Sequence, residues 1–341
     1  MRQSSIARKL KQWYRRAKRD LPWRNTRDPY RIWISEIMLQ QTRVAAALPY
    51  YERFLAKFPG VESLAAAAEP ELLAAWAGLG YYARARNLQK AARLIVEGGG
   101  FPRDYESLCE LPGVGSYTAA AISSIAFGLP YAVLDGNVAR VLARVLNESG
   151  DIRSLKTRQR LQAAADEFLD RREPALFNQA LMELGATICL PRQPQCHVCP
   201  IAPECEARRL GRQAELPVRA KQNATVFLHK TLLIVQRHGR ILVRQRPAAS
   251  SIMPGFWDLP ESCELPEAVE GSSIGLFRHS VTYRNYTFTV RLGKLQIGSV
   301  GGLPQGFRWI SASRLHEIPL STTAKKGIRC LTKQGENETE A

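Results

Sequence analysis

Four cysteines fall within 17 residues: Cys189, Cys196, Cys199 and Cys205, in the spacing C-x6-C-x2-C-x5-C. Four thiolates this near in the chain can close on one metal centre, and loops this short keep the entropy of closure small. In a reducing compartment such clustering reads as metal ligation rather than disulfide pairing. His197 lies inside the Cys196–Cys199 step, whose ends already supply ligands. Pro200 follows Cys199 where a c-type haem site would need a histidine. Zinc and an iron–sulfur cluster both accept four thiolates, so spacing alone leaves the metal open. Cys109, Cys263 and Cys330 are scattered and read as small residues in or near a core.

Charge narrows the partner. The 341 residues hold 48 Lys and Arg against 31 Asp and Glu, a formal net charge of +17, which points to a polyanion. The first twenty residues alone contain eight Lys or Arg and one acid, Asp20. At 45% hydrophobic residues the chain has material for two ordinary cores, and disorder is excluded. No apolar run reaches the roughly 18 residues of a membrane span, and no apolar stretch follows the basic start as in a secretory signal. The expectation is a soluble, intracellular protein.

Periodicity divides the chain. Residues 1–206 read as helical, with apolar positions Leu88, Ala91, Ala92 and Ile95 on one helix that ends at Gly98–Gly100. Gly78-Leu79-Gly80 breaks the pattern before it, and Val138, Val141, Leu142 and Val145 form a second apolar stripe. After residue 225 the period changes to two: "VFLHKTLLIVQRHGRILVRQRP" predicts two strands with a turn at Arg237–Arg240, and "YTFTVRL" a third. "PGFWDLP" (254–260) reads as loop. Residues 207–225, polar and basic, read as a connector, leaving 226–341 as a smaller α/β or mostly-β domain.

Three local features suggest chemistry. In "LPGVGSYTAAAI" Gly113 and Gly115 form a tight turn before a helix whose first N–H groups are left for an anion. No Lys-Ser/Thr follows, so it is no P-loop; with the net charge, a DNA phosphate is the better occupant. Glu36 interrupts the apolar run "DPYRIWISEIMLQQTRV", with Ile32, Trp33 and Leu39 on its own helix face. Desolvation there raises a carboxyl pKa and favours a general acid near neutral pH. Asp135 precedes a helix at Val138, where local sequence makes it an N-cap.

"LPWRNTRDPYRIWISEIMLQQT", "GLGYYARARNL", "LPGVGSYTA", "VLDGNVARV", "FNQALMELGATIC" and the four-cysteine loop together resemble the MutY-type adenine DNA glycosylases of the helix-hairpin-helix superfamily. The resemblance implies a multidomain α and α+β protein. An all-α helix-hairpin-helix glycosylase domain (1–206) would carry a [4Fe–4S] cluster on Cys189, Cys196, Cys199 and Cys205. It would be followed by the connector (207–225) and a Nudix (MutT-like) α/β domain (226–341). It implies excision of adenine mispaired with 8-oxoguanine or guanine. Glu36 would protonate the base, Asp135 would stabilise the sugar cation, and Tyr117 and Asn137 would support them. Tyr117 stands where bifunctional relatives carry a lysine, and a phenol forms no Schiff base, so the resemblance implies a monofunctional enzyme. Trp23, Arg24 and Leu39 would line the adenine pocket, and Gln41 and Tyr81 would enter the stack beside the orphan base. Gly113 and Gly115 would bind the backbone. Gln179, where some relatives have Glu, is not assigned a catalytic role.

"MPGFWDLP" and "FRWI" resemble a Nudix domain, but no Glu-rich metal-binding box follows Gly255, so lesion recognition is expected in place of hydrolysis. Val281, Thr282 and Tyr283 occupy the positions of the relatives' Phe-Ser-His motif, making Thr282 and Tyr283 the expected lesion contacts. The expected partner is double-stranded DNA with an A:8-oxoguanine or A:G mispair. No membrane partner is expected, and the chain is expected to act as a monomer in the cytoplasm, at the nucleoid.

Overall fold

Twelve α-helices and two short 3-10 helices make up the ordered elements among the described residues of 1–221, the first of two units into which this computed structural model divides; the second is residues 222–341. The structure describes residues 2–220, 226–247, 250, 253–281, 283–295 and 303–339. The helices are α1 (Arg2–Ala17), α2 (Pro29–Leu39), α3 (Val44–Lys57), α4 (Val61–Ala66), α5 (Glu69–Trp76), α6 (Ala83–Glu97), α7 (Tyr105–Glu110), α8 (Ser116–Ile125), α9 (Gly136–Val145), α10 (Leu155–Phe168), α11 (Pro174–Thr187) and α12 (Glu206–Arg209). Among the described residues of this unit there is no strand.

The expected stripes are what the core uses. Leu88, Ala91, Ala92 and Ile95 of α6 are buried, as are Val138, Val141, Leu142 and Val145 of α9. Two helices are buried nearly all round, α9 from Val138 to Val145 and α8 from Thr118 to Ile125. The run Ala119-Ala120-Ala121 lets α8 pack closely against α2 and α11. Between α7 and α8, Gly113 has φ +80°, and a Cβ there would lie 2.9 Å from Asn87 Cβ. Gly115 is the N-cap of α8 and faces open space, with no side chain to cap the first amides.

The expected connector is structured at its start. Ala207 and Leu216 are buried, Arg144 Nε donates to Leu216 O (2.9 Å), and Ile152 N donates to Val218 O (3.0 Å). The segment is polar overall, but two apolar anchors and a buried arginine hold it on the helical unit as far as Val218.

Among the described residues the second unit holds a six-stranded mixed sheet: β1 (Val226–Arg237), β2 (Arg240–Gln245), β3 (Trp257–Asp258), β4 (Ala268–Val281), β5 (Arg284–Leu295) and β6 (Phe307–Ser311). Its order is β3-β2-β1-β5-β4, with β6 on β2. The expected β1–β2 hairpin forms, with Arg237 opposite Arg240, whereas β1 and β5 run parallel. Helix α13 (Thr322–Thr339) packs on β4, β1 and β3, giving an α/β unit. Leu232–Val235 are buried on both sheet faces. The stretch read as loop, "PGFWDLP", instead contributes strand β3, because Phe256, Trp257 and Leu259 go into the core. Among the described residues no helix is long and apolar enough to cross a membrane.

Candidate active site

Helix α2 starts where Asp28 accepts a hydrogen bond from Tyr30 N (2.9 Å) and Pro29 sets the first turn. From Ile32 to Met38 every residue is buried, and Glu36, 7% exposed, is the one carboxylate among them. Tyr117 Oη, on the first turn of α8, donates to Glu36 Oε2 (2.6 Å). Burial pushes the Glu36 carboxyl up to about 7; the Tyr117 hydroxyl pulls it down and the negative field of Asp135 pushes it further up. Burial and the two carboxylates push the Tyr117 phenol well above its ordinary range, so it stays a neutral donor.

Asp135 is indeed the N-cap of α9. Its Oδ1 accepts from Val138 N (2.6 Å) and its Oδ2 from Asn137 Nδ2 (3.0 Å). Burial raises its pKa against these donors and Arg140. The capping residue also lines the cleft described next. Asn137 Oδ1 accepts from Arg140 Nη2 (2.8 Å), and Arg140 also donates to Gly185 O (2.7 Å) and Cys189 O (2.8 Å). A Cβ on Gly185 would fall 2.7 Å from Asn137 Cβ, so α11 approaches α9 closely here. One turn on, Arg144 Nη1 donates to Cys189 Sγ (3.2 Å) and Leu190 O (2.7 Å). One face of α9 therefore runs from Asp135 to the cysteine loop.

Glu36, Tyr117, Asp135 and Asn137 line a cleft of about 940 Å³ together with Trp23, Arg24, Leu39 and Gln41. Trp23 is buried, edge-on to Tyr51 at 5.1 Å between ring centroids. Arg24 is fixed by an ion pair with Glu183. Sequence reasoning missed Glu183, which is 0% exposed and also receives Arg19 Nε (2.8 Å), Arg19 Nη2 (2.7 Å) and Arg19 N (3.1 Å). Despite its burial these donors hold the Glu183 carboxyl down at about 2. The signal was available: like Glu36, it is a lone acid in an apolar helix, "ALMELGA". Gln179, left unassigned, lines the same cleft and accepts from Tyr14 Oη (2.7 Å).

Tyr81, Gly113 and Gly115 are not among the cleft's lining residues. Tyr81 is 59% exposed, and the two glycines sit at the α7–α8 turn, just ahead of Tyr117. Tyr283 is exposed at the turn from β4 to β5 in the second unit, and Thr282 lies outside the described residues.

Cys189, Cys196, Cys199 and Cys205 all line one pocket, with Arg144 and Gln213. Burial and the three neighbouring sulfurs push the Cys199 thiol up to about 12, and Cys196 and Cys205 move the same way. Among the described residues no three ligating side chains converge closely enough to hold a single metal ion. Four half-buried thiols that line one pocket and repel one another once ionised are a donor set that suits a positively charged metal centre.

Residues 34–167 match the HhH-GPD superfamily of base excision DNA repair proteins. The chain is 34% identical to the human adenine DNA glycosylase, over 94% of this chain and 72% of that protein. It is 46% identical to the adenine DNA glycosylase of Rattus norvegicus, over 96% of this chain and 78% of that protein. Among solved structures, a thermostable thymine-DNA glycosylase superposes with a TM-score of 0.56 at 31% identity, covering 61% of this chain and 97% of that chain. An endonuclease III–DNA complex superposes with a TM-score of 0.52 at 23% identity, covering 62% of this chain and 98% of that one, a likeness of fold.

Proposed function

The chain belongs to the adenine DNA glycosylases of the HhH-GPD base excision repair superfamily, and from that premise we propose that its substrate is adenine mispaired with 8-oxoguanine or guanine in double-stranded DNA. The observation that carries the mechanism is the hydrogen bond from Tyr117 to a buried Glu36 in the cleft that also holds Asp135.

The target base leaves the duplex at a cost of a few kcal/mol and enters the cleft between Trp23, Arg24 and Leu39. Glu36, with its pKa near 7, donates a proton to N7 of adenine and turns a poor leaving group into a good one. General acid catalysis of this kind contributes about 10²- to 10⁴-fold, roughly 3 to 5 kcal/mol of barrier. Asp135 stabilises the positive charge that develops on the sugar, and the amides of Val138 and Asn137 aim its carboxylate. Tyr117 and Asn137 position the reacting water. Tyr117 has no amine, so base release is not followed by strand cleavage.

The phosphate backbone sits at the N-terminus of α8, where Gly113 gives the turn and Gly115 leaves the approach open. Gln41 and Tyr81 enter the stack beside the orphan base. Cys189, Cys196, Cys199 and Cys205 would hold a [4Fe–4S] cluster, which would supply structural closure of the loop against α9. Residues 1–206 do the chemistry, 207–225 connect, and 226–341 read the base opposite adenine through Thr282 and Tyr283. The chain acts as a monomer in the cytoplasm, at the nucleoid.

The test is incubation with a duplex containing one A opposite 8-oxoguanine, analysed before and after hot alkali. Breaks only after alkali are expected. Breaks without alkali would make the enzyme a lyase, and no breaks at all would leave a DNA-binding protein without this activity.

A further inference from the structure

The backbone is left-handed at both residues assigned above to the base stack: φ is 60° at Gln41 and 49° at Tyr81. A non-glycine residue in this region is strained and persists where its surroundings hold it. The two lie on different loops, one after α2 and one before α6, and both loops end on a single side chain.

That side chain is Arg84, on the first turn of α6. Its Nη1 donates to the carbonyls of Ile37 (2.8 Å), Met38 (3.3 Å) and Gln40, and its Nη2 to those of Leu79 (3.2 Å) and Gly80 (3.3 Å). Ile37 and Met38 belong to the last turn of α2, where carbonyls have no partner within the helix. Gln40, the C-cap, is not a glycine in the usual capping conformation, so the guanidinium takes over that task. The second loop is tied in further by Trp76 Nε1, which donates to Gly80 O (3.0 Å). The guanidinium carbon stands 5.5 Å from the centre of the Tyr81 ring and 5.4 Å from that of Trp76. Among the described residues Arg84 Nε is buried without a hydrogen-bond partner, so there the two terminal nitrogens make the hydrogen bonds of this side chain. A planar fork with donors on both arms bridges two loops; a single ammonium does not.

We infer that Arg84 is the positioning residue for base probing: it holds Gln41 and Tyr81 at a fixed separation before DNA arrives, so that both enter the stack without a further ordering cost. The inference rests on the proposed entry of Gln41 and Tyr81 beside the orphan base. Preorganisation of this kind acts on the reaction more than on overall affinity, which comes mainly from phosphate contacts.

The experiment uses the full-length protein and a duplex with 2-aminopurine next to the 8-oxoguanine opposite adenine. Fluorescence is read on binding in a Glu36→Gln background, and single-turnover excision in the parent background. Arg84→Met is expected to abolish most of the fluorescence rise and to slow excision between about 10- and 100-fold, with Kd changed less than about threefold. Arg84→Met combined with Tyr81→Ala is expected to be no slower than the slower single variant within about threefold, because both remove one function. A merely structural arginine predicts parental fluorescence and rate per folded molecule in Arg84→Met, and an arginine with a separate function predicts a loss that multiplies with that of Tyr81→Ala. Either result overturns the inference.

If Arg84→Met does not fold, Arg84→Lys replaces it. One ammonium grips one loop, so at least about a threefold loss with reduced fluorescence is expected, and parental values for both overturn the inference. Gln41→Ala and Tyr81→Ala separate the two levels. If both leave fluorescence and excision unchanged, the probing reading itself falls and takes Arg84 with it. If both lose the signal while Arg84→Met keeps it, only the role of Arg84 falls.

Discussion

Tyr117 and Glu36 are joined by a 2.6 Å hydrogen bond in which the phenol is the donor. The bond ties the first turn of α8 to the middle of α2 and gives a buried carboxyl one neutral partner. It does not hold the carboxyl at its ordinary pKa, because burial outweighs it and the value rises to about 7. The pair therefore stores a proton at the pH where the enzyme would use it.

Excision is expected to fall as pH rises through about 7, following ionisation of Glu36. Glu36→Gln is expected to lose at least about 100-fold in single-turnover rate while duplex affinity stays nearly intact. The linkage has the matching sign. The folded pKa is raised, so this group's contribution to stability is full below 4.5 and disappears as pH rises to about 7. Glu36→Gln is then at least as stable as the parent at pH 8, measurable by urea titration; a variant markedly less stable there would contradict the burial argument.

Tyr117→Phe removes the group that pulls the Glu36 pKa down. The alkaline limb of the rate profile is expected to move to higher pH while the plateau rate falls. An unmoved limb would mean that Glu36 is not the titrating acid.

Arg140 supplies hydrogen bonds to Asn137 Oδ1, Gly185 O and Cys189 O. Arg140→Met leaves these acceptors unpaired, at about 1 to 3 kcal/mol for each that stays buried. Iron content and excision rate are expected to fall together, because one side chain serves both ends of α9. Full iron with normal excision would show that the two ends are independent.

Glu183 is fully buried between Arg19 and Arg24. Glu183→Gln leaves Arg24, itself largely buried, without its counter-charge, and a loss of about 3 kcal/mol or more is expected. The folded carboxyl pKa is depressed to about 2, so its stabilisation is present above 4.5 and is lost as pH falls towards 2. A neutral substitution with an unchanged melting temperature at pH 7 would refute this.

Residues 226–341 are expected to set lesion preference. Their deletion should leave adenine excision from A:G measurable while reducing the preference for A opposite 8-oxoguanine. Thr282→Ala should move preference the same way by about tenfold or less, one hydrogen bond of roughly 1 kcal/mol. Full preference in the folded truncated protein would move lesion reading to the helical unit.

The legible parts of this chain were those written within a few residues. Glu36 was visible because one acid interrupts an apolar helix, and Asp135 because it precedes a helix start; the structure adds that the cap itself faces the cleft. Gly113 was visible from the turn it makes. The carboxylate of Glu183 was open to the same reasoning, but its partners Arg19 and Arg24 are about 160 positions away, and no local period encodes such a pairing. The same limit hid the hold of Arg144 on Leu216, which makes a polar stretch part of the helical unit, and the parallel pairing of β1 with β5. Trp257 was misread because "PGFWDLP" carries turn residues at its ends and core residues at its centre.

The cap at Asp135 has a consequence for how a loss of function should be interpreted. An alanine there removes a helix start, worth typically ~1 kcal/mol, as well as a charge, so a dead Asp135→Ala protein reports two losses in one number. Asparagine caps about as well as aspartate; it lacks the charge and puts an NH2 where Oδ2 accepts from Asn137 Nδ2. The difference between the two variants isolates what the carboxylate does from what merely keeps α9 in register, a separation the geometry permits here because the oxygen that caps the helix and the oxygen held by Asn137 are different atoms.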